Sequence, residues 1–122
     1  MESIQPEVLR SAIKEVWIRA LTEVQPDVLN ALVKARAEET NPRGQQYLDI
    51  LIENAKKAKE NRIVICQDTG VPTFFVKTSL SFPFTGDIRA EFDGALRDLT
   101  KKEFPMRPMV VHPLTRKDRG DN

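Results

Sequence analysis

The sequence predicts an α+β fold: an N-terminal helical lead-in packed on a small β element, with one further helix. The whole reads as an incomplete part of a larger domain. Three observations carry this prediction. Through residues 1–60, apolar side chains recur at spacings of three and four, the repeat of an amphipathic helix. After Asn61 the pattern shifts to short runs rich in β-branched and aromatic residues, which is strand-like. A helical stripe then returns behind Gly86-Asp87, a turn followed by a side chain suited to capping a helix.

Each element has its own warrant. In the first helix Val8, Leu9, Ala12, Ile13, Val16, Trp17, Ala20, Leu21 and Val24 make one apolar face. Pro6 suits its first turn, where a backbone N–H has no partner to lose. Pro26 ends that helix and opens a second, expected to bury Val28, Leu29, Leu32 and Val33. Asn41-Pro42-Arg43-Gly44 interrupts the chain before a third helix, which turns Leu48, Leu51, Ile52, Ala55 and Ala58 inward. Lys56, Lys57 and Lys59 in its last turn complement the negative end of the helix dipole. Ile63 to Cys66 is expected to be a buried strand and Thr73 to Leu80 a second one. Residues 88–101 form the further helix, with Ile88, Phe92, Ala95, Leu96 and Leu99 as its stripe. Thus residues 1–60 are helical and residues 61–122 mixed.

Composition narrows the function classes. The chain has 122 residues, 40% of them hydrophobic and 30% charged, which fits a globular domain and not a disordered tail. The formal net charge of +1 leaves no basic field to attract nucleic acid. The apolar runs fall far short of the roughly 20 residues that a membrane span needs. Cys66 is the one cysteine, so no internal disulfide framework exists. That fits a reducing, cytoplasmic setting.

The chemistry-bearing segment is Ile63 to Pro72. A cysteine closing an apolar run, followed by Gln67, Asp68, Thr69 and Gly70, has the make-up of a site loop. A thiolate here could ligate a metal or an iron–sulfur cluster, or act as a nucleophile. Gln67 offers a donor and an acceptor, Asp68 a charged acceptor. Gly70 permits a positive φ. The plainer alternative is a small buried thiol ending a core strand, with Asp68 and Thr69 shaping a turn. Asp68-Thr69-Gly70 also matches the tripeptide of aspartic proteases, but those are nearly all β, whereas half of this chain is amphipathic helix.

Longer blocks favour a different reading. Val64 to Pro72, followed by Phe74-Phe75-Val76, resembles the first cluster-cysteine block of the class I, iron–sulfur fumarases. Arg107-Pro108-Met109-Val110-Val111-His112-Pro113-Leu114-Thr115-Arg116 is similar to that family's next block, and the related L-tartrate dehydratases share both. The resemblance covers most of the chain and places it as the N-terminal part of an alpha subunit or alpha region. It implies a hydro-lyase of the tricarboxylic acid cycle that interconverts fumarate and L-malate on a [4Fe–4S] cluster held by three cysteines.

By that resemblance Cys66 is the first cluster ligand, Gln67 and Asp68 contact the C4 dicarboxylate, and Arg107 binds a substrate carboxylate. The other two cysteines and the general base are not in this sequence, so no catalytic residue is assigned within it. One thiolate cannot hold a cubane cluster. The chain alone is therefore expected to be inactive, and to need the remainder of the alpha region and a beta subunit or domain, as part of an oligomer. Two alternatives stay open: a tartrate dehydratase part, and a non-catalytic interaction module of the same fold. His112 is expected to be structural, and Trp17 to lie in the core.

Overall fold

The structure, a computed structural model, describes residues 3–66, 68, 70–103, 112, 114–115 and 117. Its elements are α1 (Pro6–Thr22), α2 (Pro26–Glu38), α3 (Pro42–Asn61) and α4 (Ile88–Asp98), with α4 continuing into a π-helical turn over Leu99–Glu103. Two compact units divide the chain: Met1–Trp17 with Gln67–Asn122, and Ile18–Cys66.

The helix boundaries follow local rules. Pro6, Pro26 and Pro42 each stand at the start of a helix, where the missing N–H costs nothing. The Asn41 side chain caps α3 by accepting from the Arg43 N–H, and Asp87 caps α4 by accepting from the Ala90 N–H. Thus Pro42-Arg43-Gly44, expected to interrupt the chain, instead forms the first turn of α3. The end of α3 was not signalled by a glycine. Arg62 takes the left-handed conformation (φ 50°, ψ 47°), and the Ile63 N–H reaches back to the Ala58 carbonyl at 3.0 Å.

The α+β expectation is corrected: among the described residues there is no strand and no sheet. A strand exists only where its N–H and C=O groups find a ladder partner. In Ile63–Cys66 two of the N–H groups are committed to helix ends. Ile63 donates to α3, and Ile65 donates to the Leu21 carbonyl at the end of α1 (3.0 Å). Residues 73–79 run without regular secondary structure, no neighbouring strand being described to pair with them. The β-branched pattern was correctly seen but did not settle the outcome, because β-propensity reflects sheet context more than backbone preference.

In the first unit, Ile13, Trp17, Ala95, Leu96 and Leu99 are buried. Trp17 therefore lies in the core as expected, 5.9 Å from Phe74 between ring centroids, and Phe74 meets Phe92 edge-on at 4.7 Å. The Trp17 indole Nε1 is buried with no hydrogen-bond partner among the described residues. Arg10 on α1 pairs with Glu91 on α4 at 2.8 Å. Gly94 makes room for it, since a Cβ there would stand 3.2 Å from Arg10 Nη2. The N-terminal segment is tied down by the Ile4 N–H, which donates to the Pro83 carbonyl at 2.7 Å.

In the second unit, Leu21, Thr22, Ala55 and Ala58 are buried. Thr22 satisfies its hydroxyl on the Ile18 carbonyl of its own helix. α2 buries none of its residues: Val28 is 48% exposed and Val33 50%, against the expectation that both are inward. One side of α2 lies along α3, tied by Arg36 Nε to Asp49 Oδ1 at 2.7 Å, and no described residue covers the rest.

Two predictions follow from these contacts. Leu99 is fully buried, so Leu99→Ala removes apolar volume without relief and costs about 3 kcal/mol, read by thermal or urea melting. Hydrogen bonding to Lys59, helped by the charges of Lys59 and Arg19, holds the Glu23 carboxyl below its ordinary 4.5 and outweighs the opposing effect of desolvation, which is larger than either charge. Hydrogen bonding to Arg36, then its charge, holds Asp49 below 3.8. Both contributions are present above those ordinary values and disappear as pH falls through the lowered folded-state values. Stability of the second unit therefore declines below about pH 4, and added salt flattens that decline because the pairs are exposed.

Candidate functional site

The site loop leaves α3 through the Arg62 turn. Two contacts then fix the residue before the cysteine. The Ile65 N–H donates to the Leu21 carbonyl at 3.0 Å, and the Ile65 carbonyl accepts from Asn54 Nδ2 on α3 at 2.8 Å. The Leu21 carbonyl lies in the last turn of α1, where no helical partner remains for it. Ile65 thus completes one helix while a side chain of another holds it.

Cys66 follows immediately and is exposed. The alternative of a buried core thiol is therefore excluded, as is the buried strand that would have carried it. Asp68 is exposed as well. Cys66 closes the second unit and Asp68 belongs to the first. Gln67 and Arg107, the other two expected substrate contacts, lie outside the described residues. Gly70 adopts φ 73°, as its place in the loop predicted, and nothing stands within 4 Å of where its Cβ would be. Glycine is required there by backbone conformation, not by space.

His112 is hydrogen-bonded to nearby backbone. Its Nδ1 accepts from the Leu114 and Thr115 N–H groups at 3.3 and 3.2 Å, and its own N–H donates to the Lys117 carbonyl. The imidazole organises a turn in the Arg-Pro block.

Among the described residues no group of three or more His, Cys, Asp or Glu side chains stands ready to hold a metal ion. Cys66 suits one ligand position: an accessible thiol on an anchored backbone. The described residues do not supply a complete donor set. In the first unit, a groove of about 460 Å³ runs along α4, lined by Phe74, Ile88, Phe92 and Leu96 with Arg89 and Asp93. Its lining is mainly apolar, unlike a site for a small dicarboxylate. No described helix is long and apolar enough to cross a membrane.

Residues 10–122 match the model of the fumarate hydratase (Fumerase) family. The chain belongs to that family. It is 34% identical over 112 residues to a Methanocaldococcus jannaschii protein provisionally named L(+)-tartrate dehydratase subunit alpha, covering 90% of this chain and 39% of that one. It is 33% identical over 117 residues to a Geobacillus stearothermophilus protein provisionally named fumarate hydratase class I, covering 95% and 22%. The L(+)-tartrate dehydratase subunit alpha of Escherichia coli is 30% identical over 101 residues, covering 83% and 33%. The chain thus spans well under half the length of these relatives. The family is one of hydro-lyases, and the region of likeness takes in the cysteine loop.

Sequence reasoning singled out Cys66, though as the end of a buried strand and not as an exposed residue, and found the positive-φ glycine. It missed Asn54 and the Leu21 carbonyl. Nothing in the sequence signals them, because one is an ordinary polar residue within a helix and the other is a backbone group.

Gly70→Ala would force a side chain into the left-handed region and cost about 1 kcal/mol of loop stability. A thermal melt measures this loss, and the absence of neighbours means that no steric clash adds to it.

Proposed function

We propose that this chain supplies the N-terminal part of the alpha region of an iron–sulfur hydro-lyase that interconverts fumarate and L-malate. The observation that carries the reading is the family match over residues 10–122, which includes an accessible Cys66 within Cys-Gln-Asp-Thr-Gly. Cys66 would provide one thiolate ligand to a [4Fe–4S] cluster. The remaining ligands, the general base and a beta subunit or domain would come from outside these 122 residues.

When bound, such a cluster supplies a Lewis-acidic iron that stabilises negative charge on the substrate and eases loss of the hydroxyl. The chain's own residues bind and orient the substrate. The Arg107 guanidinium meets both oxygens of one carboxylate, which fixes the plane of the dicarboxylate. The Asp68 carboxylate accepts from the substrate hydroxyl. The Gln67 amide donates to a carboxylate oxygen while its own oxygen stays free to accept. Proton abstraction is left to a base elsewhere in the enzyme.

L(+)-tartrate dehydration is the second reading, favoured by the names of two of the relatives above. Tartrate carries one hydroxyl more than malate. A site built to bond that hydroxyl would reject the substrate lacking it, because polar groups would be left unpaired.

The test measures iron and acid-labile sulfide per chain after anaerobic reconstitution, with malate and tartrate turnover assayed on the same sample. Isolated, the chain should hold no stable [4Fe–4S] cluster and turn over neither substrate. Supplying the remainder of the enzyme from its own source should restore both, and Cys66→Ser should abolish both. A stable cluster on the isolated chain would overturn the division of ligands, and turnover surviving Cys66→Ser would overturn the role of the thiolate.

A further inference from the structure

We propose that Asn54 is a positioning residue for Cys66: it holds the peptide unit from which the cysteine springs, and so fixes where the thiol is presented. The proposal rests on the reading of Cys66 as a cluster ligand.

The argument begins with peptide planarity. Each peptide unit is rigid, so the path of a chain is set by the orientation of successive planes. Two planes flank Ile65. The one before it carries the Ile65 N–H, which the Leu21 carbonyl accepts at 3.0 Å. The one after it carries the Ile65 carbonyl, to which Asn54 Nδ2 donates at 2.8 Å. That second plane includes the Cys66 nitrogen and ends at the Cys66 Cα. With both planes held from different helices, φ and ψ of Ile65 are determined. Between that anchored unit and Sγ, only rotation about the Cys66 N–Cα and Cα–Cβ bonds remains.

Position in the fold makes Asn54 suitable. Its neighbour Ala55 and, one turn on, Ala58 are buried, so α3 is a fixed platform at this point. Asparagine is a poor choice within a helix, because its side chain competes for backbone groups. Asn61 in the same helix shows that competition, donating to the Lys57 carbonyl of its own helix at 2.9 Å. Asn54 instead reaches out of its helix to the residue before the cysteine. In the absence of a described strand, this bond and the α1 end do the work that a sheet would otherwise do.

The test uses the complete 122-residue chain and follows amide hydrogen exchange at Ile65. Asn54→Asp keeps size but replaces the donor by an acceptor facing a carbonyl, and Asn54→Ala removes it altogether. Asn61→Asp is the control, with the same chemical change in the same helix at a bond that does not touch the site segment. Both Asn54 variants should speed Ile65 exchange by roughly tenfold, and the control should not. No change at Ile65 in the Asn54 variants overturns the proposal. Equal acceleration by Asn61→Asp overturns it too, since the effect would then be general weakening of α3. A second arm reads iron loss from the complete enzyme, which should be faster for Asn54→Asp than for the control. If Ile65 exchange responds but iron content survives Cys66→Ser, it is the cluster reading that falls, and the two failures are thereby told apart.

Discussion

The hydrogen bond from the Ile65 N–H to the Leu21 carbonyl is the contact that sets the path of the chain into Cys66. A helix ends with carbonyl groups that have no partner within it, and burial or crowding makes such groups costly unless something else bonds to them. The last turn of α1 finds its donor in the segment leaving α3. This draws the chain across the helix end and delivers Cys66 at an exposed position. The same demand removes residues 63–66 from any sheet. Each N–H spent on a helix end is lost to a ladder, and a segment of four residues has few to spend.

Exposure is the second organising fact. Phe75 is 97% exposed, and Leu80 and Val71 are also open to solvent, while α2 buries no residue. The described residues make two small cores, and each is formed by few side chains. The aromatic contacts of Trp17, Phe74 and Phe92 and the ion pair between Arg10 and Glu91 hold the first unit. Leu21, Ala55 and Ala58 hold the second. Small cores are marginal, so single contacts weigh more here than in a large domain. A family whose relatives extend well beyond this region has further chain with which such apolar surface can be covered.

In the proposed hydro-lyase, the chain's chemical contribution would be presentation. One thiolate, one carboxylate, one amide and one guanidinium are individually ordinary side chains. Their value in the proposed hydro-lyase would lie in geometry, since a small dicarboxylate is recognised only by groups at set distances. Gly70 gives the loop a left-handed turn, and Asn54 steadies the approach to the cysteine.

The sequence by itself determined the helices, the cap at Asp87, the proline starts at Pro6 and Pro26, the core position of Trp17, the turn at Gly70 and the family. Each is a local matter. Helical periodicity and capping act over three or four residues, and a cysteine loop is a contiguous string. Only the tertiary structure decided that Ile63–Cys66 is not a strand, that α2 lies exposed and that Asn54 bonds the Ile65 carbonyl. Those outcomes turn on which remote group claims a given N–H or covers a given face. Leu21 and Asn54 reach Ile65 only after three helices have folded, and a reading that runs along the chain cannot see which partner will be near.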